Sequence, residues 1–398
     1  MSPRSLDEYT EVIAKRYKRA VYKSKKELLN EYCQTTGYHR KHAIRKLNNF
    51  KFFQKPKKHK RGRKSIYNKI DVIKVLKKIW LTANLPCSKL LKALLPDWLP
   101  HYIQTFGPVD QTTLSLLEKI SPATIDRIFK PIRFKFGKKG RSCTKPGSLL
   151  RNQIPIQTDQ WNQFSPGFLE ADTVHHCGDN TAGQYVITVN YTDLATGWTE
   201  QRAVWGKGEG AVLAQTKHVE QSLPFPLRGF DSDNGGEFIN EHLFKYMTGR
   251  NSDPVQFTRS RAYKKNDNAH IEQKNWTHVR QWLGYNRFDN PAMIPLLNDL
   301  YTSQWRLYHN FLIPSVKLID KQRDHSKIIK KFDKPKTPLQ RVLEADSSIV
   351  SDAIKDQLRT LKLSLNPFDL RKNMESKIAK ALRFAYLSGN INSEASNL

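Results

Sequence analysis

Acidic residues are scarce in this chain: 37 Asp and Glu stand against 67 Lys and Arg over 398 residues, a formal net charge of +30. That imbalance disfavours a polycationic partner and favours nucleic acid, where bound Lys and Arg release condensed counterions. Cysteine is also rare. Cys33, Cys87, Cys143 and Cys177 are scattered with no CxxC spacing, which excludes a disulfide framework and a zinc finger and fits a reducing compartment. Long apolar runs are missing as well. The opening residues contain no apolar leader segment, and no stretch approaches the length of a membrane span. The expectation is a soluble cytoplasmic protein associated with the nucleoid.

The charge that is present is unevenly spread. Residues 1–150 carry +25, residues 151–290 carry −2 and residues 291–398 carry +7. Basic modules flanking a near-neutral centre predict binding regions around a catalytic core. The expected division is a helix-turn-helix domain at 1–50, a basic linker at 51–65, and a second helical DNA-binding domain at 66–134. A linker at 135–159 and an α/β catalytic core at 160–290 follow, then a basic, mainly helical region at 291–398. No internal repeat is found.

Within the first domain, Leu28, Leu29, Tyr32 and Cys33 form one helical stripe, and Tyr38, Ala43, Ile44 and Leu47 form a second. Thr35-Thr36-Gly37 separates them. Helix, short glycine-containing turn, helix is the helix-turn-helix layout. The second helix offers Arg40, Lys41, Arg45 and Lys46 to a DNA groove. An ordinary helical hairpin with a solvated basic face would show the same pattern. The next segment contains Lys60, Arg61, Arg63 and Lys64 with little to bury, and reads as a linker laid against phosphates. Helices are expected at 70–81, 88–95, 112–120 and 122–129, the last opening on a Ser-Pro start signal. Lys138, Lys139 and Arg141 continue the basic character into the following linker.

The centre changes character. Stretches 168–174, 184–192 and 197–204 are rich in β-branched and aromatic residues and predict strands. A helix at 210–223, a strand at 227–231, a helix at 237–247, a strand at 255–258 and a helix at 271–283 complete the order β-β-β-α-β-α-β-α. That order fits a mixed sheet with helices on its faces. Three acids fall where such a sheet places its chemistry. Asp172 lies near the end of the first strand, in FLEADTV. Asp233 lies in the turn DSDNGGEF, and Glu272 in the helix NAHIEQKN. Glu170 competes with Asp172, and Asp231 with Asp233, because residues two apart on a strand share a face. On the helix, Asn275 and Trp276 share the face of Glu272. Three carboxylates on separate elements can hold two divalent ions that clamp the attacking and leaving oxygens of a phosphodiester. Hard oxygen donors favour Mg²⁺ or Mn²⁺ over zinc. His175 and His176 are consecutive on a strand, point to opposite faces and make poor co-ligands.

These three patterns resemble the DDE integrase catalytic core shared by retroviral integrases and bacterial insertion-sequence transposases. Carried across residue by residue, the triad is Asp172, Asp233 and Glu272. The stretches 145–156 and 314–321 are similar to insertion-sequence transposases too, so the resemblance covers roughly residues 145–340. Where retroviral cores place a Lys one turn after the Glu, this chain has Trp276. The resemblance implies an RNase H-like fold, two Mg²⁺ (or Mn²⁺) ions per site, and hydrolysis followed by strand transfer at transposon ends. It implies double-stranded DNA as partner and a homo-oligomer assembled on it. Two other classes stay in view. One is a non-catalytic sequence-specific DNA-binding regulator derived from a transposase. The other is an RNase H-like nuclease without transfer activity, which has no need of so long a basic front.

Overall fold

The computed structural model describes residues 1–50, 66–136, 165–232, 238, 241–250, 255–259, 273–324 and 327–395. The chain divides into two compact units, Met1–Ile66 and Tyr67–Leu398.

The first unit is three helices: α1 (Pro3–Arg19), α2 (Tyr22–Thr36) and α3 (Arg40–Asn48). Their apolar stripes converge on one core of Ile13, Ala14, Tyr17, Leu28, Leu29, Tyr32, Ala43 and Leu47. Gly37 ends α2 at φ 71°, a left-handed cap that glycine adopts without a Cβ penalty. Burying this stripe leaves the opposite side of α3 to solvent, and Arg40, Lys41 and Arg45 are exposed there.

The second unit opens with α4 (Ile70–Thr82), α5 (Ser88–Phe106), α6 (Gln111–Lys119) and α7 (Pro122–Phe136). The sequence predicts that α5 stops before Pro96. Instead it runs on through Pro96 and Pro100. Each proline removes one helical hydrogen bond, but Leu91, Leu94, Leu95, Trp98, Leu99 and Tyr102 form one continuous buried stripe that outweighs the loss. Residues of α4–α7 share a single hydrophobic cluster with the sheet and the C-terminal helices described next.

The sheet consists of β1 (Phe168–His175), β2 (Val186–Asp193), β3 (Thr199–Trp205), β4 (Gly229–Ser232) and β5 (Gln256–Arg259), in the order β3-β2-β1-β4-β5. Strands β1, β2 and β3 pair antiparallel, while β4 and β5 run parallel to β1. Parallel neighbours need crossovers. Two lie between the parallel strands in sequence: α8 (Glu209–Ser222) before β4 and α9 (Glu241–Thr248) before β5. This strand order and direction is the RNase H-like mixed sheet, so the α/β reading of the sequence holds. Strand β1 lies at its centre.

Edge strand β3 is blunted by side chains. Asn310 accepts from the Thr199 N–H and donates to the Thr199 carbonyl, at 2.9 and 2.8 Å. Asn298 treats Ala203 likewise, at 2.7 and 3.0 Å. The Arg202 guanidinium donates to the Gln201 carbonyl at 2.7 Å. An otherwise open row of backbone groups is thereby satisfied.

On one face of the sheet lies α10 (Asn275–Arg280, a π-helical turn, continuing as Gln281–Leu283). With it lies α11 (Met293–Leu300, continuing through π turns Tyr301–Trp305 and Tyr308–Leu312). After α11, within the region expected to be basic and mainly helical, the chain forms a hairpin of β6 (Leu318–Asp324) and β7 (Lys327–Phe332). Its strands form a two-stranded sheet. Among the described side chains of the hairpin none is buried, so little alternation of the kind by which strands are recognised is imposed on them. Helices α12 (Pro338–Leu343), α13 (Asp352–Leu363) and α14 (Pro367–Ala395) close the chain. Among the described residues no helix is long and apolar enough to cross a membrane.

Candidate active site

The two faces of the sheet differ in chemistry. Leu169, Ala171, Ile187, Val189, Tyr191, Val204 and Phe230 belong to an apolar cluster with Val212, Val219, Leu243 and Met247 of α8 and α9. On the other face Val174, Val186 and Ala203 join the larger apolar cluster, but most alternate positions are polar: Glu170 and Asp172 on β1, Thr188, Asn190 and Thr192 on β2, Gln201 on β3 and Asp231 on β4. All but Asp172 are buried. Burial of this much polar surface is costly unless the groups find partners.

Asp172 is half-buried at the centre of that face. Its Oδ1 accepts from the Thr173 N–H at 2.7 Å, and its Oδ2 accepts from Asn275 Nδ2 at 2.7 Å. Helix α10 therefore begins pinned to β1 through this carboxylate. Asp172, Asn190 and Gln201 are successive cross-strand partners and form one row over β1, β2 and β3. Asn190 Nδ2 donates to Asn275 Oδ1 and Gln201 Nε2 donates to Asn190 Oδ1, each at 2.9 Å.

The competing acids are placed deeper. Glu170 is 2% exposed and Asp231 7% exposed. The two face each other across the parallel β1–β4 pair, with Thr258 Oγ1 donating to Asp231 Oδ1 at 2.6 Å. Asp233 and Glu272 lie outside the described residues, as do Lys60, Arg61, Arg63, Lys64, Lys138, Lys139 and Arg141. Among the described residues no group of three His, Cys, Asp or Glu side chains is assembled to hold a metal ion. Asp172 itself is an anionic oxygen donor held by two neutral N–H groups, a chemistry that suits Mg²⁺ or Mn²⁺.

The histidines beside the site have structural partners. His176 is fully buried, stacks on Phe288 at 4.6 Å and bonds Thr188 Oγ1 through Nε2 at 2.8 Å. Burial, then the nearby Arg280 and His175, pushes its pKa down to about 3. His175 instead meets the Tyr185 hydroxyl through Nδ1 at 3.1 Å. On the α10–α11 side, His278 and His309 stack at 4.0 Å, and burial holds both well below the usual imidazole range.

In the first unit, Arg40 donates to Asn30 Oδ1, and Lys46 lies 4.7 Å above the Tyr38 ring with its Nζ 3.2 Å from the hydroxyl. Lys41 and Arg45 remain on the exposed side of α3. Asn190 and Gln201 were not singled out in the sequence. The signal for Asn190 is in β2, where Thr188, Asn190 and Thr192 put polar groups at alternate positions of a strand buried at every residue.

No protein-family profile matches the chain. The uncharacterized protein y4rM of Sinorhizobium fredii (strain NBRC 101917 / NGR234) is 36% identical over 341 residues, covering 84% of this chain and 94% of that protein. The chain belongs to the same family as y4rM. Among solved structures, the simian T-cell lymphotropic virus intasome in complex with PP2A regulatory subunit B56 gamma is similar at 15% identity and a TM-score of 0.32, over 61% of this chain and 73% of that one. The HTLV-2 integrase catalytic core domain in complex with magnesium matches at 13% identity and a TM-score of 0.28, over 38% of this chain and 91% of that one. The BIV integrase catalytic core domain matches at 14% identity and a TM-score of 0.27, over 45% of this chain and 94% of that one.

Proposed function

We propose that this chain is a transposase of the DDE integrase class, which binds transposon ends and cuts and joins DNA strands in a metal-dependent reaction. The observation that carries the reading is the position of Asp172: central strand, polar face, bonded to the helix whose sequence brings the third acid. The parallel register runs from Phe168 opposite Gly229 to Ala171 opposite Ser232. Continued by one further step, that register would pair position 172 with position 233. Glu272 precedes Asn275 by three residues, the spacing at which helical side chains share a face. Register and spacing together support convergence of Asp172, Asp233 and Glu272.

In this reading Asp172 and Asp233 jointly hold one Mg²⁺ or Mn²⁺ ion and Glu272 completes the site of a second. Such a pair, when bound, activates water and then a 3′-hydroxyl and neutralises charge on the phosphate. The chain's own part is to fix the carboxylates, which the Asn275 bond does for Asp172, and to hold the DNA. Helix α3 presents Lys41 and Arg45 to the double strand, with Arg40 and Lys46 beside them. The basic segments around 60–64 and 138–141 lie along phosphates. Joining two ends calls for two such sites on one DNA assembly, hence a homo-oligomer.

The test is cleavage and strand transfer with the full chain, terminal-repeat DNA and Mg²⁺, comparing wild type with Asp172→Asn. Loss of several kcal/mol of charge stabilisation corresponds to a rate lower by about 10³-fold. DNA retention is expected to stay at the wild-type level. Undiminished cleavage by Asp172→Asn defeats the enzymatic reading, and retention without cleavage by the wild type itself favours a DNA-binding regulator.

A further inference from the structure

We infer that Asn275, Asn190 and Gln201 are positioning residues that set the orientation of the Asp172 carboxylate through a one-way chain of amide hydrogen bonds. The inference rests on the proposed role of Asp172 and extends it to three residues, two of which make no hydrogen bond to that acid.

The direction of the chain follows from chemistry. An ionised carboxylate only accepts, so the atom that Asn275 turns to Asp172 Oδ2 at 2.7 Å is its NH₂ group. That leaves the carbonyl of Asn275 facing Asn190, which must donate, at 2.9 Å. The carbonyl of Asn190 then faces Gln201, which must donate in turn, also at 2.9 Å. Oxygen and nitrogen of an amide are ordinarily assigned from such networks rather than seen. Here one fixed acceptor at the end of the row determines all three.

The setting gives the chain its stiffness. Asn190 is 0% and Gln201 1% exposed. Both lie on strands whose register places them side by side with Asp172. Water therefore has little access to the Asn190–Gln201 bond, while Asn275 and Asp172 at the other end of the chain are half-buried. Where the amides are buried, their aligned dipoles reinforce one another. Asn275 is the first residue of the π turn of α10, so its bond to Asp172 also fixes where that helix starts relative to β1. Wide turns of this kind recur at functional sites. A carboxylate free to rotate about its Cβ–Cγ bond would have to be ordered when a cation binds. One already held through Oδ2 does not, and preorganisation of this sort appears as affinity.

The experiment uses the full chain without DNA and reads Mn²⁺ binding by calorimetry, alongside the melting temperature of the metal-free protein. Asn190→Leu keeps the branched side-chain skeleton and removes the donor to Asn275, and Asn190 itself makes no hydrogen bond to Asp172. Gln201→Leu removes the last link, and Asn275→Leu the first. The expected result is a Kd for Mn²⁺ raised about tenfold by Asn275→Leu and Asn190→Leu and about threefold by Gln201→Leu, graded with distance along the chain. DNA cleavage at saturating metal should return to within a few-fold of wild type for Asn190→Leu. A purely structural role gives a different pattern: lowered melting temperatures with wild-type Mn²⁺ affinity, and that result overturns the inference. Should Asn190→Leu fail to fold, Gln201→Leu carries the test alone, and wild-type Mn²⁺ affinity in that variant is equally damaging. Asp172→Asn separates the two claims. If it abolishes Mn²⁺ binding while the three Leu variants bind normally, the acid keeps its role and the amide chain loses its own.

Discussion

The two faces of the central sheet are both covered, yet they are built from different residues. Beneath α8 and α9 the face is aliphatic and aromatic, from Leu169 and Ala171 through Ile187 and Val189 to Phe230. Beneath α10 and α11 it carries Glu170, Asp172, Thr188, Asn190, Thr192, Gln201 and Asp231. A strand with period two gives each face its own alphabet. The apolar face is held by its own hydrophobic cluster, and on the polar face Val174, Val186 and Ala203 join the larger cluster beneath the C-terminal helices, so both contribute transfer energy to the fold. The polar face uses part of that stability to keep hydrogen-bonding groups in a fixed arrangement around one carboxylate. A difference of this kind within a single sheet is what separates a scaffold from a site.

Substitutions that exchange the roles of the faces sharpen the contrast. The largest effect is expected at Asp172. Asp172→Asn should leave the melting temperature within a few degrees of wild type while lowering Mg²⁺-dependent cleavage by about 10³-fold. Ile187→Ala on the opposite face should do the reverse. A buried aliphatic truncation costs about 2–5 kcal/mol, visible as a lowered urea midpoint, with cleavage per folded molecule unchanged. Equal effects on stability and cleavage from both substitutions would erase the distinction between the faces.

Acid should act through the polar side. His176, His278 and His309 are all shifted downward by burial. Their unfolded pKa lies near 6.5, so the unfolded chain binds protons that the folded one does not. Stability is therefore fully present above that value and is lost as pH falls below it. Each histidine contributes about 1.4 kcal/mol per pH unit. Chemical denaturation between pH 7.5 and 5 checks this, and His309→Phe should flatten the slope. The smallest effect is expected at Thr192. Its buried hydroxyl has no hydrogen-bond partner among the described residues, so Thr192→Val should be neutral or stabilising by about 1 kcal/mol.

Much of this architecture was legible in the chain. β-branched and aromatic runs marked β1, β2 and β3, and helical periodicity marked α2, α3 and α4. Asp172 was preferred over Glu170 because it lies nearer the strand end; Glu170 is buried and Asp172 half-buried. The extension of α5 past Pro96 was not legible, because local rules count the lost hydrogen bonds and not the tertiary stripe that compensates them. The β6–β7 hairpin was hidden for the opposite reason: among its described residues none is buried, so there is little alternation to read. The row Asp172–Asn190–Gln201 needed strand register, which no local pattern supplies. Once register is known, the alternate polar positions of β2 become a message about the neighbouring strands.

The account stands most directly on whether a divalent ion sits beside Asp172. Crystals of the full chain soaked in Mn²⁺ and measured at the manganese absorption edge would locate it. The account predicts an anomalous peak about 2.2 Å from an Asp172 carboxylate oxygen, absent in Asp172→Asn crystals. A wild-type crystal with Mn²⁺ bound elsewhere, and Asp172 bonded only to Asn275 and the Thr173 N–H, would contradict it.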